Sequence, residues 1–115
     1  MSMLNWKEYL GQVLSGVGAI GKASPDIVKG YQTLGGAASK TGLLGPKVNE
    51  LIALAVAVTV RCDGCIAVHT AAAIKAGATK EEIIEALGTA AAVNAGAALV
   101  YSTRVIDAFV EISNP

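Results

Sequence analysis

The stretch RCDGCIAVHTAAAIKAG, residues 61–77, holds both cysteines of the chain and its only histidine. Its run of alanines and closing glycine read as a helix from Cys62 to Ala76 that is stopped by Gly77. Offsets of three and seven residues return to one helix face, so Cys62, Cys65 and His69 fall within an arc of about 60°. A cysteine at or just inside a helix start gains from the unpaired N–H groups and the helix dipole, which favour thiolate over thiol. Arg61 pushes the same way and Asp63 against it. Two cysteines three apart suit metal or redox use better than a structural staple, if the compartment is reducing. Zinc would want a fourth compact ligand, and only Glu50 offers itself. Inert core cysteines are the remaining alternative.

Upstream, Pro46 opens a third helix that runs to about Val60. The run LIALAVAV, residues 51–58, shows no period of its own, but Pro46 and the polar turn from Lys47 to Glu50 extend the segment to helical length. Apolar nearly all round, it is expected to be the central buried helix. If it and the next helix fold back near Arg61, Glu50 lies about 15 Å from the turn and His69 about 10 to 12 Å from it, at 1.5 Å per residue. These depths are similar enough for contact, so a carboxylate could stand beside the imidazole. It would orient the ring so that His69 could remove or return a proton at a cysteine sulfur, directly or through water.

Further out, Leu4, Tyr9, Val13 and Leu14 suggest an amphipathic opening helix that loses definition at Gly16, Gly18 and Gly21. Ser24, Pro25 and Asp26 form a second helix start, with a hydroxyl cap, a proline at the first position and an acid near the positive dipole end. That helix reaches about Ser39 and yields at Gly42 and Gly45. Downstream, Thr79 to Glu82 reads as a capping box for a fifth helix, which Asn94 to Gly96 bend or divide before a last helix carrying Leu99, Val105, Ile106 and Phe109. The expectation is one all-α domain over residues 1–115, a compact bundle of about five to six helices.

Composition bounds the partners. Nine basic and nine acidic residues give zero net charge without a basic run, which leaves little for nucleic acid to bind. Hydrophobic residues make up 53% and charged residues only 16%, against about a quarter in ordinary domains. Another subunit is the simplest outlet for that surplus, so a homo-oligomer is expected. Leu51 to Val58 is far short of the twenty or so apolar residues that cross a bilayer, and Ala86 to Tyr101 also reads as too short. Charges at Lys7 and Glu8 interrupt any secretory core. No membrane and a cytoplasmic location are expected. Neither a GxGxxG after a strand nor a P-loop occurs, so no bound nucleotide cofactor is foreseen.

Glu50, eleven intervening residues, CDGCIAVH over 62–69, the alanine-rich helix, the Gly77 stop and TKEEI together resemble the alkyl hydroperoxidase D and carboxymuconolactone decarboxylase superfamily, in its redox branch. The resemblance covers about residues 25–111, with 1–24 an N-terminal helix and glycine-rich connection. It implies an alkyl hydroperoxidase D-like helical fold, assembly into dimers, trimers or hexamers, and disulfide-cycling chemistry with no bound cofactor. Carried over, Cys65 attacks peroxide, activated by a relay from Glu50 through His69, and Cys62 resolves its sulfenic acid into a Cys62–Cys65 disulfide. An external thiol or dithiol donor, such as a lipoyl or thioredoxin-like protein, then reduces it. Well-studied members often carry a histidine just before the second cysteine, where this chain has Gly64, and one proton donor is thereby removed. Simple dipole reasoning makes Cys62 the more acidic sulfur. Both readings hold if Cys62 exchanges with the donor while Cys65 meets peroxide. Two alternatives stand beside this: a disulfide reductase or adaptor for a partner peroxidase, and a non-enzymatic redox-sensing scaffold. Tyr31, Asn94 and Tyr101 are further candidates for the pocket, and Trp6 for covering the core or a neighbour.

Overall fold

The computed structural model describes residues 2–115, so Met1 of the expected 1–115 span lies outside it. Five α-helices form, with no strand among the described residues: α1 (Trp6–Ala23), α2 (Pro25–Thr41), α3 (Gly45–Val60), α4 (Asp63–Lys75) and α5 (Lys80–Ser113). The fold is all-α, as the patterning indicates. Helix α3 packs against both α4 and α5 and touches α2, while α1 lies on α2 and α4. The contacts are made mostly by alanines: Leu54, Ala57, Ala67, Ala73 and Ala90 are the buried hydrophobics among the described residues. Alanines let backbones approach closely but remove little apolar area from water.

The helix ends follow local chemistry. Asn5 Oδ1 accepts the Glu8 N–H at 3.2 Å to open α1, and Thr79 and Glu82 close a full capping box at the start of α5. At α2 the expected hydroxyl cap is absent: Ser24 makes no side-chain capping bond, and Pro25 and Asp26 alone mark the start. Helix α1 does not dissolve at its glycines. Each costs about 1 kcal/mol of helix propensity relative to alanine, but Gly21 lies where an added Cβ would meet Val28 of α2 at 3.3 Å, so the close α1–α2 approach needs it.

Three other expectations are corrected. Helix α3 is central, yet Ile52 and Val56 remain 48% and 55% exposed, because no helix of the same chain covers that face. Residues 94–96 do not divide α5, which runs unbroken for 34 residues. The Asn94 amide donates to Ala90 O at 2.8 Å and to Thr59 Oγ1 of α3 at 2.9 Å, so its polar tip is satisfied without opening the helix. Contrary to the reading of Ala86 to Tyr101, this one helix is long and apolar enough, by length and composition, to cross a membrane.

Candidate functional site

The site is built on the reversal between α3 and α4. Arg61 ends α3 in the left-handed region, at φ 56° and ψ 53°, the one non-glycine residue with positive φ among those described. The N–H groups of Arg61 and Cys62 both turn back to the Ala57 carbonyl, the latter at 3.0 Å. This is the bond pattern by which a helix closes on a left-handed residue. Arg61 therefore acts through its backbone, a role that composition and charge gave no sign of.

Cys62 follows as the N-cap of α4, in extended conformation, and so lies just outside the helix rather than within it. Its sulfur takes the place of the usual capping oxygen: Cys65 N–H donates to Cys62 Sγ at 3.1 Å. The two cysteines are joined by a disulfide with their Cα atoms 5.2 Å apart, and both are half-buried. One helical turn further on, His69 Nδ1 lies 2.7 Å from Glu50 Oε2. The two side chains are 27% and 24% exposed, so neither is sealed from a small reactant. An ionised carboxylate can only accept, so Nδ1 carries the proton and Nε2 is left free to exchange one.

Cys62, Cys65 and His69 share the wall of one cavity of about 450 Å³. The rest of the lining is almost wholly apolar: Val13, Val17 and Ile20 from α1, and Ile27, Val28 and Tyr31 from α2. This α1 wall was not anticipated, although Val13, Val17 and Ile20 recur at the spacing of one helical face. Gly64 is its seat, because the Val13 methyl groups lie 3.5 and 3.6 Å from where a Gly64 Cβ would be. Of the other candidates, Tyr31 reaches the cavity. Asn94 instead ties α5 to α3. Tyr101 is exposed beneath the Arg104 guanidinium, 4.9 Å from its ring centre. Trp6 packs edge-on against Tyr9, with ring centres 6.1 Å apart. Among the described residues no group of three or more His, Cys, Asp or Glu side chains is placed to hold a metal ion.

Away from the cavity, Lys47 Nζ meets Glu82 Oε2 at 2.8 Å and ties the start of α3 to the start of α5. The Lys47 ammonium and the Thr79 N–H hold the Glu82 carboxyl below its ordinary range.

Residues 25–108 match the carboxymuconolactone decarboxylase family, and the chain belongs to that family. It is 49% identical over 105 residues to an uncharacterized protein of Haemophilus influenzae, covering 91% of this chain and 93% of that one. Uncharacterized protein 4 in the cox locus of Paracoccus denitrificans is 33% identical over 96 residues, covering 84% and 86%. Among solved structures, apo-lpg0406, a carboxymuconolactone decarboxylase family protein from Legionella pneumophila, superposes with a TM-score of 0.73. It is 35% identical, with 95% of this chain and 97% of that one covered. Family membership and the paired cysteines give the protein a general thiol redox role. The matched region begins at residue 25, so α1, which forms one wall of the cavity, lies outside it.

Proposed function

We propose that the protein is a thiol peroxidase that reduces hydroperoxides through a Cys62–Cys65 disulfide cycle. The observation that carries this reading is one cavity shared by a closed cysteine pair and by a histidine whose Nδ1 a glutamate holds in place. In the reduced protein, the Cys65 thiolate attacks the terminal oxygen of ROOH, the O–O bond breaks, and the departing alkoxide takes a proton through His69 to leave as ROH. Sulfur is oxidised by two electrons to the sulfenic acid and the peroxide is reduced by the same two. Cys62 then displaces the sulfenic oxygen as water and forms the disulfide. The Cys65 N–H that meets Cys62 Sγ favours a thiolate at Cys62 when the bridge is open.

The cavity supports a particular class of substrate. Its α1 and α2 walls offer apolar carbon to the R group of an organic hydroperoxide, which hydrogen peroxide lacks. An external dithiol of lipoyl or thioredoxin type returns the electrons by exchange, entering at Cys62, the sulfur at the helix tip. Such a supply suits the cytoplasm. The test is steady-state consumption of cumene hydroperoxide by the isolated protein with dihydrolipoamide as donor, beside hydrogen peroxide as the alternative substrate. Turnover that needs both cysteines and favours the organic peroxide supports the proposal. Dithiol-dependent reduction of protein disulfides without peroxide turnover replaces it with a disulfide reductase.

A further inference from the structure

The cavity that holds the cysteine pair leaves one step of the proposed cycle short of a donor. When Cys65 Sγ bonds the terminal oxygen of ROOH, the electron pair of the O–O bond passes to the oxygen that carries R, and negative charge gathers there as the bond breaks. An apolar wall stabilises that charge poorly. Among the described residues that line the cavity, His69 and Tyr31 alone carry a side-chain nitrogen or oxygen. His69 has one exchangeable position, Nε2, because Glu50 Oε2 holds Nδ1 at 2.7 Å, and that position is committed to moving the proton. Between the cysteines, α4 supplies nothing further: Gly64 has no side chain and lies against Val13, and Asp63 is not part of the lining.

Tyr31 is the group that remains. It follows Ile27 and Val28 by four and three residues on α2, so the three share one helix face, and that face walls the cavity. The Val28 side chain, 3.3 Å from where a Gly21 Cβ would be, holds this part of α2 close to α1. The Tyr31 phenol makes no hydrogen bond with a described residue, and the residue is 65% exposed. Its hydroxyl is therefore free to meet a molecule that enters. We propose that the Tyr31 hydroxyl is a second catalytic group, donating a hydrogen bond to the R-bearing oxygen of the hydroperoxide as the O–O bond breaks. The phenol keeps its own proton. His69 Nε2 delivers the one that completes ROH, and the sulfur takes the terminal OH as sulfenic acid, so no further reactant is needed. The proposal rests on the peroxidase reading of the site and adds a leaving-group donor to it.

Its test varies the leaving group. The reduced full chain and its Tyr31→Phe variant, which loses only the hydroxyl, are oxidised by tert-butyl hydroperoxide and by peracetic acid, and disulfide formation is followed by stopped flow. The tert-butoxide that leaves the first is strongly basic, whereas the acetate that leaves the second spreads its charge over two oxygens and asks little of a donor. Tyr31→Phe should therefore slow the tert-butyl hydroperoxide reaction by about 10²-fold, the scale on which one such donor acts. The peracetic acid reaction should slow much less, and the melting curve should not move. Equal slowing of the two reactions, or none, beside a wild type that reacts with both would overturn the role of Tyr31 and leave the peroxidase reading standing. A wild type whose thiols neither peroxide oxidises would overturn that reading and this proposal with it.

Discussion

At the scale of single residues, the site depends on two that act in different ways. Glu50 holds the His69 ring by a 2.7 Å bond and makes no hydrogen bond to either sulfur, so it is a positioning residue. Glu50→Gln keeps the size and a hydrogen-bond acceptor but not the charge. It should slow peroxide oxidation of the reduced protein by about 10²-fold or more, the scale of a mispositioned general acid, with the thermal midpoint nearly unchanged. Stopped-flow kinetics beside a melting curve separates these effects, and unaltered kinetics would remove Glu50 from the mechanism. Arg61 acts through its backbone. Its left-handed conformation costs about 1–2 kcal/mol for a residue with a Cβ. Arg61→Gly should therefore leave stability unchanged or slightly raised, while Arg61→Val, whose branched Cβ fits that region worse still, should lower it, both read from urea denaturation. The chemical side of the site was legible in the sequence because cysteine, histidine and glutamate declare their chemistry by type and spacing. The Arg61 hinge was not, because a left-handed non-glycine residue is imposed by the chain reversal rather than by the residue's own preference.

At the scale of helices, legibility followed how local the cause was. The capping box at Thr79 and the glycine stop at Gly77 are decided within a few residues, and both stand as read. At Gly21 α1 packs against Val28 of α2, and at Asn94 α5 is tied to Thr59 of α3. Such contacts are invisible to a window of sequence. The wall that α1 lends the cavity is of the same kind. Val13→Asp would put a charge against Gly64 and the disulfide, and should raise KM for cumene hydroperoxide much more than for hydrogen peroxide. Equal changes for the two would deny α1 a part in selectivity. The Lys47–Glu82 contact makes a pH prediction. Because the folded Glu82 carboxyl is held below its ordinary range, its contribution to stability is present above the ordinary glutamate range and is lost as pH falls through the lowered value. Lys47→Met should flatten that acid-side fall in urea midpoints measured from pH 6 down to pH 3. An unchanged slope would show that other carboxylates govern it.

At the scale of the whole molecule, the disulfide is better suited to turnover than to bracing. It closes a loop of only a few residues, for which chain entropy amounts to less than about 2 kcal/mol, and the α3–α4 packing behind it is made by other residues. Reduction should therefore leave the far-ultraviolet dichroism intact and lower the thermal midpoint by less than about 10 °C. The uncovered apolar faces of α3 and α5 belong to this scale too, with Ile52, Val56 and Phe109 all exposed. The central claim remains the chemical one, that the two sulfurs exchange electrons with a peroxide in the cavity they share with His69. Peptide mass mapping of the reduced protein after one equivalent of cumene hydroperoxide tests it most directly. The account predicts a Cys62–Cys65 disulfide and one equivalent of cumyl alcohol, with Cys62→Ser trapping a sulfenic acid on Cys65. Thiols that stay reduced while the peroxide persists, or a sulfenic acid that forms on Cys62 alone, would contradict it.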